Sequence, residues 1–143
     1  MLENEVLIGA DVDRVWALTV DVERWPEMTP TMTEVTRLDD GAMALGSRAR
    51  VKQPHQRATV WTVTRFVPGV EFTWSTKVGP ITMTGGHHLR ATPEGCVNRL
   101  TLEVTGFGHR LVERLVGRRI AESIATENQG FKTAAEAPAD HPT

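Results

Sequence analysis

Apolar and polar residues alternate along most of this chain, and near its end the period changes. Val70, Phe72, Trp74 and Thr76 stand against Glu71, Thr73, Ser75 and Lys77, the two-residue period of a half-buried strand. The same period predicts a strand over 46–53, with Ala49, Val51 and Gln53 on one face and Arg48, Arg50 and Lys52 on the other. A β-branched and aromatic run predicts a strand over 59–66. A long strand over 81–91 is interrupted by Gly85-Gly86, the mark of a bulge or of a close backbone approach. The strand over 97–105 puts Leu100, Leu102 and Val104 on one face. Shorter strands are expected over 3–8 and 33–38, and Asp39-Asp40-Gly41, Pro68-Gly69, Gly79-Pro80 and Pro93-Glu94-Gly95 punctuate the series as turns.

Two stretches break this rhythm. In 11–30, Val12, Val15, Trp16 and Thr19 fall at helical spacing behind a capping Asp11 or Asp13, so a short helix is expected. A second short helix should end at Trp25-Pro26, because a residue before proline is pushed out of the α region. From His109 to about Ala135, Leu111, Val112, Leu115, Val116, Ile120, Ile124 and Phe131 recur every three or four residues. Gly117 inside that run marks a weak point or a close packing contact. The predicted order is strand, two short helices, six strands, one long helix. Strands joined by short turns make an antiparallel meander, and only the long helix is large enough to cover its apolar face.

Composition narrows the function classes. The 143 residues suit one domain, expected over 1–135, followed by a polar, proline-bearing tail over 136–143 that reads as disordered. A formal net charge of −2, with both signs interspersed, provides no basic footprint for nucleic acid. No apolar run approaches a membrane span, and 1–9 does not read as a secretory signal. A single cysteine, Cys96, excludes an internal disulfide framework and suits a reducing compartment, so a cytoplasmic protein is expected; the expected assembly is a monomer or homodimer. The absence of tyrosine removes any mechanism that needs a phenol.

Several segments together carry a family resemblance. They are Asp13-Arg14-Val15-Trp16, Asp21-Val22-Glu23-Arg24-Trp25-Pro26, Gly46-Ser47, Trp61-Thr62-Val63-Thr64, Pro68-Gly69, Phe72-Thr73-Trp74 and Asn98-Arg99-Leu100-Thr101-Leu102. With this layout the chain resembles the START-like or SRPBCC superfamily up to about residue 133, and looks most like its bacterial polyketide cyclase/dehydrase branch. The resemblance implies an α+β helix-grip fold: a curved antiparallel sheet of about seven strands wrapped around the C-terminal helix. It also implies a deep cavity between sheet and helix, open near the helix pair, that takes a small hydrophobic molecule such as a polyketide, lipid or sterol. Some relatives are cyclases or aromatases and many are carriers. A fold of this kind hosts many functions, so the residues must decide.

The candidates for that cavity are Gln53, Trp61, Phe72, Trp74, Met83, His87 and Leu102. Alternation puts His87 with Met83, Gly85 and Leu89, where it can orient a carbonyl or act as a general base, or equally be a buried histidine bonded to its neighbours. A slip at Gly85-Gly86 would exchange it with His88. Trp61 and Trp74 offer flat apolar walls, or plain core packing. The facing of Trp61 is open, because Val60, Thr62, Thr64 and Phe66 compete with it for the core. Gln53 can reach a ligand oxygen or lie in water. Arg48, Arg50 and Arg65 are spaced like solvated faces, and one turned inward would bind a carboxylate or enolate. Arg119 and Glu122 are candidates for the mouth, or a helix-surface pair. His87-His88 cannot easily hold one metal, and Cys96 has no histidine partner in sequence. No cofactor signature is present. Binding of a hydrophobic ligand is the reading these residues favour. The alternative is a polyketide cyclase, aromatase or dehydratase using His87.

Overall fold

In a computed structural model of the chain, residues 1–138 are described. Seven strands form one antiparallel sheet: β1 (Leu2–Ile8), β2 (Glu34–Arg37), β3 (Arg48–Lys52), β4 (Thr59–Val67), β5 (Glu71–Val78), β6 (Ile81–Thr92) and β7 (Gly95–Gly106). Their spatial order is β1-β7-β6-β5-β4-β3-β2, so the meander from β2 to β7 is closed by the first strand pairing with the last. Helix α1 (Val12–Val20), a 3-10 turn (Val22–Arg24) and helix α2 (Trp25–Met28) lie between β1 and β2, and helix α3 (His109–Glu136) packs across the sheet. This is the expected helix-grip arrangement. Glu136, assigned to a disordered tail from sequence, is the last residue of α3. Of that tail, 139–143 lie outside the described residues.

Strand register explains which residues face inward. Across one row Val63 pairs with Trp74, Trp74 with Gly85, and Gly85 with Leu102. Across the next Phe66 pairs with Phe72, Phe72 with His87, and His87 with Leu100. Pairing runs without a slip through Gly85-Gly86, so His87 stays inside and His88 outside. The bulge lies in β4 instead, between Val63 and Arg65. One extra residue there lets Trp61 and Val63 face inward before it and Phe66 after it, which settles the competition along that strand. Arg48, Arg50 and Arg65 point to solvent. Arg48 pairs with Asp39 and Arg65 with Glu71.

The helix pair differs from expectation. Trp25 has helical φ/ψ and Pro26 sits in the first turn of α2, so the proline starts a helix rather than stopping one. Its missing N–H costs nothing there, since first-turn donors have no intrahelical partner. The Trp25 indole donates to the Leu18 carbonyl at 3.2 Å, tying α2 back to α1. Residues 38–47 between β2 and β3 form a longer connection than a tight hairpin, and Met43 drops from it into the core.

Helix α3 is held at its C-terminal half. Asn128 is fully buried, and its amide donates to the Asn4 and Asn98 carbonyls and to the Asn4 side chain while accepting from the Asn98 amide. The Arg14 guanidinium caps the last carbonyls, reaching Ala134, Ala135 and Ala137. Lys132 donates to the Leu7 carbonyl, and Gly9 N–H to the Glu136 carboxylate.

Candidate functional site

Between the sheet and α3 lies a cavity of about 420 Å³. Its size is in the range of small-molecule sites. Gly85 lies in the floor beneath the Trp61 and Trp74 rings, each 3.7 Å from where a Cβ would stand. Those rings are 5.6 Å apart by centroid. Met83, Leu100 and Leu102 extend the sheet wall, and Val112, Val116, Ile120 and Ile124 supply the helix wall.

Of the residues expected here, Gln53, Trp61, Trp74, Met83, His87 and Leu102 border the cavity. Phe72 does not. It is fully buried one layer behind, 5.1 Å from Trp74 and 5.7 Å from His87 by ring centroid, and it props the wall without forming it. Of the mouth candidates Arg119 borders the cavity, while Glu122 faces solvent and pairs with Arg118. The opening lies among Gln56, Val78 and Arg119, all exposed, at the β3–β4 and β5–β6 turns and the N-terminal half of α3. The resemblance placed it near the helix pair. That end is plugged by Trp25, 1% exposed and in ring contact with Phe72, Trp74, His87 and Phe131. Trp16 packs on Phe66 outside the cavity.

Two groups with displaced pKa values border this space. His87 is 4% exposed, enclosed by Trp25, Phe72 and Phe131, and its Nδ1 has no partner among the described residues. Burial, helped by the neighbouring His88, pushes its pKa down to about 3. The imidazole is neutral at neutral pH and a feeble base, suited to hydrogen bonding more than to proton abstraction. Glu127, on α3, is the second. Its side chain is part-buried against the cavity, and desolvation pushes its pKa up to about 7. Glu127 has no salt-bridge or hydrogen-bonded partner among the described residues.

Sequence reasoning missed Glu127 and Trp25. Glu127 stands three residues after Ile124 and four before Phe131, in line with the apolar stripe, and that spacing is the signal that could have found it. Cys96 is fully buried and burial pushes its thiol up, so it is no nucleophile. Among the described residues no three His, Cys, Asp or Glu side chains converge as a metal site would require, and no helix is long and apolar enough to cross a membrane.

Comparison with known proteins agrees with this architecture. The chain belongs to the family described as "Polyketide cyclase / dehydrase and lipid transport", whose model matches residues 2–136. A Streptomyces cyaneus protein called "Putative polyketide cyclase" is 37% identical over 60 residues, which is 42% of this chain and only 39% of that protein. The di-domain ARO/CYC StfQ from the steffimycin biosynthetic pathway superposes with a TM-score of 0.76 at 15% identity, over 94% of this chain and 50% of that one. Major latex-like protein 151 from Panax ginseng superposes at 0.77 and 10% identity, over 95% and 97% of the two chains. At such identities the likeness is one of fold.

Proposed function

We propose that this chain binds a small hydrophobic molecule, of polyketide, lipid or sterol type, in the cavity between sheet and α3. The observation that carries this reading is the wall itself: three tryptophans, two methionines and a helix stripe of Val and Ile around a space with few polar groups. Apolar walls with a few convergent polar groups describe a binding pocket, while His87, as a neutral imidazole, is poorly placed to move protons. Trp25, Trp61 and Trp74 all border the space, so ligand entry should change intrinsic fluorescence.

Titration with the apolar dye N-phenyl-1-naphthylamine tests the reading. Saturable binding is expected, with native mass spectrometry finding a hydrophobic compound carried through purification. Met83→Asp should abolish dye binding while circular dichroism stays unchanged. Undiminished binding in that variant would put the ligand elsewhere.

A second reading has one observation in its favour. Glu127 borders the same space with a pKa near neutrality, the property of a general acid. A cyclase, aromatase or dehydratase would therefore lean on Glu127, with His87 orienting a carbonyl. Loss of turnover with retained binding in Glu127→Gln would favour catalysis.

A further inference from the structure

The helix wall of the cavity is apolar except at Arg119, Ser123 and Glu127. These fall one turn apart down α3, so they form a ladder from the open mouth to the closed end. Arg119, at the top, is exposed. Glu127, at the bottom, is eight residues deeper, about 12 Å along the helix axis. One turn beyond Glu127 stands Phe131, whose ring is 5.6 Å from His87 and 5.7 Å from Trp25 by centroid. A carboxyl on the helix side and an imidazole on the sheet side thus both border this part of the cavity. The His87 Nδ1 has no hydrogen-bond partner and Glu127 no ion pair among the described residues, and Arg119 is the only cation among them that borders the cavity. Leaving such groups unpaired in an apolar enclosure is costly, so a ligand that pairs with them gains on that account.

We propose, building on the binding reading above, that the cavity takes a neutral amphiphile whose hydroxyl or carbonyl oxygen lies between Glu127 and His87 at the closed end, and that it rejects carboxylates of the same shape. The apolar body of such a ligand lies against Trp61, Trp74 and Met83. A ligand carboxylate would meet a second carboxyl there with no cation to offset the charge. The Glu127 carboxyl, its pKa pushed up to about 7, accepts a hydrogen bond from a ligand hydroxyl in either form and donates one only when protonated, while a neutral His87 donates one and accepts another. A hydroxyl or a carbonyl satisfies that pair without bringing charge into the enclosure. The apolar walls already disfavour any ion, so the share of the discrimination that belongs to this pair is the part that changes when Glu127 is replaced.

The test is displacement of N-phenyl-1-naphthylamine by three probes of one shape: 2-naphthol, 2-naphthoate and 2-naphthylmethylammonium, at pH 8. Naphthol is expected to bind at least about tenfold more tightly than naphthoate. Glu127→Gln keeps a neutral donor and acceptor, so naphthol should bind it within about threefold of wild type while the naphthol-to-naphthoate ratio narrows. Glu127→Leu should weaken naphthol. Naphthoate binding as tightly as naphthol, the ammonium probe binding tightest, or an unchanged ratio in Glu127→Gln would each overturn the proposal and leave the cavity reading standing. Failure of the dye and all three probes to bind would overturn both.

Discussion

The two halves of α3 have opposite relations to the rest of the protein. The C-terminal half is tied down. Asn128 knits it to β1 and β7, Phe131 and Ala135 are buried, and Arg14 closes its last turn. The N-terminal half borders the open part of the cavity through Val112 and Val116, while Leu111 and Leu115 face solvent. Gly117 sits in this half with open space where a side chain would be. A single apolar stripe therefore does two jobs. Where it meets the sheet it holds the helix, and where it meets the cavity it forms a wall over empty space. Cavities of this kind need such a division, because a helix packed tightly along its whole length would leave no room for a ligand.

The sharpest way to break this comparison is at the closed end. Trp25→Ala removes the ring that plugs the cavity and touches four other rings, and it should cost about 3–5 kcal/mol in urea unfolding. A loss below about 1 kcal/mol would mean that α2 is a rim and not a plug. Next comes Asn128→Leu. It deletes the hydrogen bonds to Asn4 and Asn98 and leaves the buried Asn98 amide without its acceptor, for about 3 kcal/mol. If that variant unfolds like wild type, the tied half is held by apolar packing alone.

How far these features could be read from the chain follows from the period of each segment. In β5, and in β7 from Leu100 to Val104, apolar residues alternate with polar ones, so the facing of Trp74, Leu100 and Leu102 was plain. In β4 two sets of residues competed, because a bulge admits both, and a bulge leaves no fixed mark in a sequence. Trp25-Pro26 misled for a different reason. The proline rule forbids helix before the ring in general but tolerates it at a first turn, and only tertiary packing decides which applies. Glu127 and Asn128 fell in the gap of the helical stripe between Ile124 and Phe131. A charged and an amide residue there look like a solvated face until the sheet is known to lie opposite.

A smaller effect separates the cavity's closed end from its mouth by pH. Glu127 has a folded-state pKa of about 7, above its ordinary 4.5, so folding favours its protonated form. The stability it contributes is complete below about pH 4.5 and is lost as pH rises through about 7. His87 acts on the other flank: its pKa is depressed to about 3, so its contribution is present above the ordinary 6.5 and is lost as pH falls. Glu127→Gln should therefore be more stable than wild type at pH 8 by about 2 kcal/mol and nearly equal to it at pH 4.5. Denaturant midpoints at the two pH values measure this, and a gap that does not change with pH would show that the carboxyl is solvated.

The smallest effect tests the free half of α3. Leu115 is 72% exposed on a helix turn whose inward neighbours face the cavity, so Leu115→Ser should change stability by less than about 0.5 kcal/mol. The helix hydrogen bonds around it are shielded on one side by the cavity alone, whereas those near Asn128 are backed by β1 and β7. Amide exchange should accordingly be faster over 111–119 than over 124–134, because local opening is easier where little apolar surface must be exposed. A bound ligand fills the space behind Val112, Val116 and Ile120 and supplies the packing that half lacks. Protection should then rise over 111–119 on adding ligand and stay level over 124–134. Equal protection of the two halves in the ligand-free protein would erase the distinction between a holding half and a covering half.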